Sequence, residues 1–256
     1  MEDLKGKIAM VTGAGQGIGE AIATELAACG AIVAPIDVNQ SAVERVARAL
    51  SELSGDAYPL TVDVSVVDDV QEAVKEVMNR YGQIDILVNN VGISPKDDKG
   101  DRIPTLELNA AEWDRVMSVN LKSVFICTQL VGREMKKLGA GSILNISSIS
   151  AKTGHSGPPA AHYCASKAGV TNFTIYTAKE FIPYGIRVNS IAPGTVQTAQ
   201  REGTSAKYNE LLLKQIPMAR FAQPSEIAKA AAFLVSDSAS YITGEILDVN
   251  GGAFMD

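Results

Sequence analysis

Positive charge is in short supply. The 256 residues carry 23 Lys and Arg against 29 Asp and Glu, a net charge of −6. Nucleic acid needs a basic face to meet its phosphates, so it is excluded as a partner. Cysteine is scarce too, with Cys29, Cys127 and Cys164 odd in number and far apart. They form neither a disulfide framework nor a metal cluster, and a reducing cytoplasm is the setting expected. No unbroken apolar run reaches the length of a membrane span, and the charged start, Met1 to Lys7, has no signal-peptide core. No membrane partner is expected. There is also no Pro/Ser-rich linker, repeat or low-complexity stretch, so residues 1–256 are read as one domain.

What is present is alternation. Short β-branched runs at 8–11, 31–36, 57–62, 84–88, 142–146, 186–191 and 246–249 read as buried strands. Amphipathic segments such as 42–53 and 70–81 lie between them. Strands that alternate with helices imply a parallel sheet with right-handed crossovers, hence a doubly wound α/β fold of about seven strands with helices on both faces. Asn109 followed by Glu112 resembles a capping box that opens one long helix to about residue 137. One local conflict stands out: Pro35 lies inside the second strand, where it removes a ladder donor.

After the first strand comes Thr12-Gly13-Ala14-Gly15-Gln16-Gly17-Ile18-Gly19. Glycines at a strand-to-helix turn allow positive φ and let backbone approach a pyrophosphate, with the free N–H groups of the helix facing it. Asp37 ends the second strand at a spacing suited to binding a ribose 2′-hydroxyl. A carboxylate there favours NAD and repels the 2′-phosphate of NADP. Residue 16 is Gln, and no Arg or Lys lies near in the cradle or just after Asp37. NAD is therefore expected, with NADP less favoured. Asp63, with Val64 after it at the third strand end, either accepts from the adenine amino group or caps the next helix. Asn89-Asn90-Val91-Gly92 closes the fourth strand on the same side, where open α/β sheets bind ligands.

The second motif is Tyr163-Cys164-Ala165-Ser166-Lys167, preceded by Ser147-Ser148. Four residues apart on a helix, Tyr163 and Lys167 share a face. Bringing a phenol from a pKa of about 10 to about 7 takes roughly 4 kcal/mol, much of which a nearby ammonium supplies in a partly dry cleft. Tyr163 then serves as general base for alcohol oxidation or acid for ketone reduction, while Ser148 donates to the substrate oxygen.

Together these motifs resemble the classical short-chain dehydrogenase/reductase family over nearly the whole chain. The matching residues are Thr12-Gly13-x-x-x-Gly17-Ile18-Gly19, Asn89-Asn90-Val91-Gly92, Asn120, Ser148, Tyr163-x-x-x-Lys167 and Pro193-Gly194-Thr195-Val196-Gln197-Thr198. The resemblance implies a Rossmann-type fold with Ser148, Tyr163, Lys167 and Asn120 as the catalytic set. Lys167 would also bond the nicotinamide ribose, and Asn120 would hold a relay water. Pro193, Gly194, Val196 and Thr198 would run beside the nicotinamide, completing a cofactor site with Gly13, Gln16, Gly17, Ile18, Gly19, Asn90 and Gly92. It further implies a homotetramer, with the 109–137 helix, the Tyr163 helix and residues 246–256 as contacts.

Substrate contacts are expected from Ser150, His155 and Arg201, the last in a stretch at 199–216 that the resemblance makes a substrate lid. The run Lys96 to Arg102 reads as a solvated loop. The function expected is NAD-dependent hydride transfer between nicotinamide and a secondary alcohol or ketone. Polyols or sugars, 3-hydroxyacyl thioesters and cyclic alcohols are the candidate substrates. The alternative is a non-catalytic NAD(H)-binding redox sensor on the same scaffold, and a sugar-nucleotide epimerase would need a longer chain.

Overall fold

The computed structural model describes residues 3–96, 102–153, 160–199 and 206–255. Seven parallel strands form one sheet in the order β3-β2-β1-β4-β5-β6-β7. They are β1 (Ile8–Thr12), β2 (Ile32–Asp37), β3 (Leu60–Thr61), β4 (Ile86–Asn89), β5 (Gly141–Ile146), β6 (Ile186–Pro193) and β7 (Ile246–Val249). The strand order reverses after β3, when the chain crosses to the other side of β1. That switch leaves a crevice beyond the strand C-termini between β1 and β4.

Helices cover both faces. α1 (Gly17–Ala28), α2 (Gln40–Ser54) and α9 (Pro224–Val235) enclose one core, with Ile22, Leu26, Leu50 and Ile227 packed on Val11, Val88 and Leu144. α3 (Val67–Tyr81), α5 (Ser123–Leu138) and α7 (Ala161–Phe181) enclose the other, where Val74, Val77, Val131 and Met135 meet Met10, Leu87 and Ile143. The shorter helices are α4 (Ala110–Met117), α6 (Ser150–Thr153) and α8 (Ala206–Lys214). Caps set the boundaries: Asn39 accepts from Ala42 N at 3.1 Å to start α2, and Gly55 at φ +84° ends it.

Two expectations are refined. β3 is cut to two residues, and Pro35 supplies the reason. Val33 and Asp37 carbonyls accept from Tyr58 and Val62 across the β2–β3 seam. Residue 35 alternates in phase with both and faces β3, so its missing N–H leaves the seam broken there. The helix expected over 109–137 is three pieces: α4, a π turn at Ser118–Lys122, and α5. Asn109 Oδ1 does cap it, accepting from Glu112 N at 2.8 Å. The π turn adds a residue in the middle, and Asn120 sits in it.

Candidate active site

β1 runs into α1 through Gly13 (φ +63°) and Gly17 (φ +61°), both in the left-handed region. A Cβ on Gly19 would lie 2.1 Å from the Gly13 carbonyl oxygen, so helix and turn pack this closely only as glycine. Gln16 precedes α1 without making a side-chain cap, which leaves the first helical N–H groups for an anion. Neighbouring side chains brace the turn. Thr12 Oγ1 donates to Val88 O at 3.2 Å and accepts from Asn90 N at 3.0 Å. Asn90 Nδ2 donates to Thr12 O and Gly13 O, both at 3.1 Å, so its amide holds the cradle in shape.

The cradle opens into a cleft of about 800 Å³. Gly13, Gln16, Gly17 and Ile18 line its floor, Asp37, Asp63 and Val64 its β2–β3 end, and Ser148, Ser150, Tyr163 and Lys167 its β5 end. Pro193, Gly194, Val196 and Thr198 cross above, and Thr198 Cγ2 lies 3.5 Å from where a Gly17 Cβ would be. Asn90 and Gly92 complete the middle. Glycine-lined backbone, an uncapped helix start and a long cleft fit a dinucleotide. Asp63 does not cap α3, which starts at Val67 without a side-chain cap; its Oδ1 accepts from Ser65 N (2.9 Å) and Ser65 Oγ (2.7 Å) in the turn that leads into the helix.

At the β5 end the three serines separate. Ser147 Oγ turns to α7, donating to Lys167 O at 3.1 Å and pairing with Thr171 Oγ1 at 2.8 Å. Ser148 is in hydrogen-bonding contact with the Tyr163 phenol and accepts from Ser150 N at 3.1 Å. Desolvation pushes the Tyr163 pKa up, while the Ser148 bond and the charge of Arg102 act to bring it down. Lys167 is buried, donates to Ile146 O at 2.7 Å and stands 5.9 Å from the Tyr163 ring centroid. Burial lowers its pKa to about 8. Lys167 is not among the influences on the phenol, whose pKa is raised; burial outweighs the lowering that sequence spacing suggested.

Asn120 is fully buried. Its Oδ1 accepts from Ile93 N at 2.8 Å, and its Nδ2 donates to Ile93 O at 2.9 Å and Ser166 Oγ at 3.1 Å. Asn89 and Asn145 form a further buried chain, in which Asn89 Nδ2 donates to Asn145 Oδ1 (2.9 Å) and Asn145 Nδ2 to Thr174 Oγ1 (2.9 Å). Asn145 carried no signal in the sequence, because only the β4–β5 register opposes it to Asn89. His162 is buried at the start of α7, its Nδ1 accepting from Tyr163 N at 3.0 Å. His155 and Arg201 lie outside the described residues. From the 199–216 stretch, Ala199 and Leu212 line the cleft. The reading of Lys96 to Arg102 as a solvated loop is corrected at both ends, since Lys96 and Arg102 line the cleft.

Comparison with known proteins gives the same picture. A family model described as enoyl-(acyl carrier protein) reductase matches residues 13–253. A 3-oxoacyl-[acyl-carrier-protein] reductase of Thermotoga maritima is 39 % identical over 249 residues, covering 97 % of this chain and 98 % of its own. The chain belongs to the short-chain dehydrogenase/reductase family. A Staphylococcus aureus protein of the same name is 40 % identical over 253 residues, covering 97 % and 98 %. Among solved structures, a short-chain type dehydrogenase/reductase from Mycobacterium marinum superposes with TM-score 0.93 at 33 % identity, covering 99 % of this chain and 98 % of that one. A putative short-chain alcohol dehydrogenase from Sinorhizobium meliloti gives 0.89 at 36 %, covering 98 % and 97 %. This short-chain dehydrogenase/reductase is an oxidoreductase on a Rossmann-type sheet. Among the described residues, no helix is long and apolar enough to cross a membrane.

The expectation of NAD as the main cofactor, with NADP less favoured, is corrected. The 3-oxoacyl-[acyl-carrier-protein] reductases that this family member resembles depend on NADPH. Two features undercut the sequence argument. The Asp37 carboxylate is already engaged by backbone, Oδ2 accepting from Gly15 N at 2.9 Å and Oδ1 from Asn39 N at 3.0 Å, so the turn accounts for it without a ribose. A cation also stands at the cradle. Arg45 on α2 donates through Nη2 to Gly15 O at 2.9 Å while pairing with Glu20 at 2.7 Å. It is eight residues beyond Asp37 and invisible to a search just after it.

Proposed function

We propose that this chain interconverts a secondary alcohol and a ketone, with 3-oxoacyl compounds as the class that the names of its relatives support. The observation that carries this is the meeting of Ser148 and Tyr163 in the cleft that the glycine cradle opens, with the Lys167 ammonium behind them. The cradle, Gly92 and the Pro193 to Thr198 stretch would hold a nicotinamide dinucleotide, which when bound supplies or accepts the hydride.

The chain's own residues manage the proton. In reduction, the Tyr163 O–H donates to the carbonyl oxygen, and the Ser148 hydroxyl donates to the same oxygen as negative charge develops. Burial keeps the phenol protonated, the form that reduction uses. In oxidation, the phenolate takes the hydroxyl proton, favoured by the Ser148 hydrogen bond and the charge of Arg102. After reduction Lys167 returns a proton to the Tyr163 phenolate, and after oxidation the phenol's extra proton leaves by the reverse route. With a pKa of about 8 Lys167 is a ready donor near neutral pH. Asn120 is a positioning residue: its bonds to Ile93 and Ser166 fix the β4 end against α7, and its second Oδ1 lone pair suits a relay water.

The test follows nicotinamide absorbance with NADPH and a panel of 3-oxoacyl thioesters, cyclic ketones and sugars. Turnover that falls about 10²–10⁴-fold in Tyr163→Phe supports the reading. Equal turnover in wild type and Tyr163→Phe overturns it. We also propose a homo-oligomer, a tetramer by family resemblance, because Phe125 and Tyr176 on α5 and α7 are large apolar residues left 46 % and 65 % exposed. Among the described residues the three cysteines form no disulfide, which suits a reducing cytoplasm.

A further inference from the structure

The cleft is electrically divided. Its β2–β3 end carries Asp37 and Asp63, whereas its catalytic end carries Lys96, Arg102 and Arg115 in addition to Lys167. Among the described residues that line the cleft these are the cations, and Lys96 already has a partner. Arg115 is 62 % exposed and shared with Glu112 at 3.5 Å, so its charge is partly answered. Arg102 is different. It is half-buried, and its Nη1 donates to both Ser94 O and Ser94 Oγ just beyond β4. Among the described residues no carboxylate pairs with it, and its Nη2 and Nε donors have no protein partner. It stands close enough for its charge to act on the Tyr163 phenol.

A guanidinium held on one side by a backbone carbonyl and a hydroxyl keeps the rest of its fork for a planar, bidentate anion. Partly removed from water, it gains most from a partner that brings its own charge. The partner must be reachable from the catalytic tyrosine, which places it a few bonds from the reacting carbon.

We infer that the substrate carries an anionic group, a carboxylate or a phosphomonoester, a few bonds from its carbonyl or carbinol carbon, and that Arg102 binds it. The inference rests on the alcohol–ketone reading above and adds the substrate's charge to it. Arg102 is a specificity residue whose charge also acts on the Tyr163 phenol, so its role in recognition is read from the preference for an anion over its neutral counterpart and not from absolute rate. A neutral ketone of the same shape would reach Tyr163 but leave Arg102 unanswered.

The experiment has a binding arm and a turnover arm, both on the full chain with NADP⁺ or NADPH. Binding of 3-hydroxybutyrate, its methyl ester, glycerol 3-phosphate and glycerol is measured by calorimetry on wild type, Arg102→Gln and Arg102→Lys. The expected result is that one anion binds at least tenfold more tightly than its neutral counterpart. That preference falls about tenfold to hundredfold in Arg102→Gln, is partly restored in Arg102→Lys, and leaves the neutral ligand unchanged. A preference for 3-hydroxybutyrate assigns a carboxylate, and one for glycerol 3-phosphate assigns a phosphomonoester. Equal binding of acid and ester and of phosphate and alcohol, or a preference that survives Arg102→Gln, overturns the inference. Turnover of acetoacetate and methyl acetoacetate separates the two readings. Tyr163-dependent turnover whose preference between acid and ester is indifferent to Arg102 sinks the inference and keeps the function. Arg102-dependent anion binding with turnover indifferent to Tyr163 does the reverse.

Discussion

Lys167 gives the most quantitative prediction. It is 3 % exposed, its ammonium bonds to the Ile146 carbonyl, and among the described residues no carboxylate neutralises it. Its pKa falls from 10.5 to about 8, a displacement worth about 3 kcal/mol at roughly 1.4 per pH unit. At pH 7 the lysine is charged in both the folded and the unfolded chain, and this penalty is fully present. Between the folded and the unfolded pKa, the folded chain has released the proton that the unfolded chain still holds. The unfolded state then binds more protons, so stability rises with pH. Lys167→Met has no such group. Relative to it, wild type should gain roughly 2–3 kcal/mol between pH 7 and pH 10. At pH 7 the Met variant should be the more stable by about 2 kcal/mol, after about 1 kcal/mol is deducted for the Ile146 carbonyl left without its donor. Urea unfolding of both chains at the two pH values, at one chain concentration, measures the difference. A gap that changes by less than about 0.5 kcal/mol would show that burial does not hold this ammonium down, and the proton-return role would lose its basis.

Three further outcomes are expected. Gly19→Ala puts a methyl 2.1 Å from the Gly13 carbonyl and should lower stability by about 1–3 kcal/mol while weakening dinucleotide binding; thermal melts and fluorescence titration read both, and an unchanged Kd would contradict the cradle. Desolvation holds the buried His162 imidazole below its ordinary pKa of 6.5, so stability should be full above that pH and fall as pH drops through it; Tm from pH 7.5 to pH 5 should decline less steeply in His162→Gln. Phe125→Asp combined with Tyr176→Asp should reduce the sedimentation coefficient to that of a single chain, and an unchanged value would move the interface elsewhere.

The sequence revealed what local patterning controls. Each expected strand is present, and Gly13 and Gly17 of the cradle take the positive φ that their turn needs. Pro35 was visible as a conflict, but its result, a β3 of two residues, depends on which neighbour its missing N–H faces. The π turn could not be read from residues 118–122, because the bonds that fix Asn120 come from Ile93 and Ser166, 27 and 46 residues away. Arg45 and Arg102 escaped for the same reason. Each reads as a surface charge, and only the packing of α2 on the cradle and the chain beyond β4 carries them to the cleft. Asp37 shows the limit of spacing: it lines the cleft as expected, but backbone N–H groups engage the same carboxylate, so its presence does not choose between NAD and NADP.

The grip of Asn120 on Ile93 has a consequence for how this scaffold can change. One amide side chain takes both backbone polar groups of Ile93, from a helix turn locked into the body of the protein. Upstream of that rivet lie the strand end and the dinucleotide cradle. Downstream lie Ser94, Lys96 and Arg102, which border the substrate end of the cleft. A change in length or composition after Ile93 is mechanically isolated from the half of the site that every reaction of this type needs. Selectivity and chemistry are thus separately heritable: one stretch of chain can be exchanged to suit a new substrate while the reaction machinery stays in register.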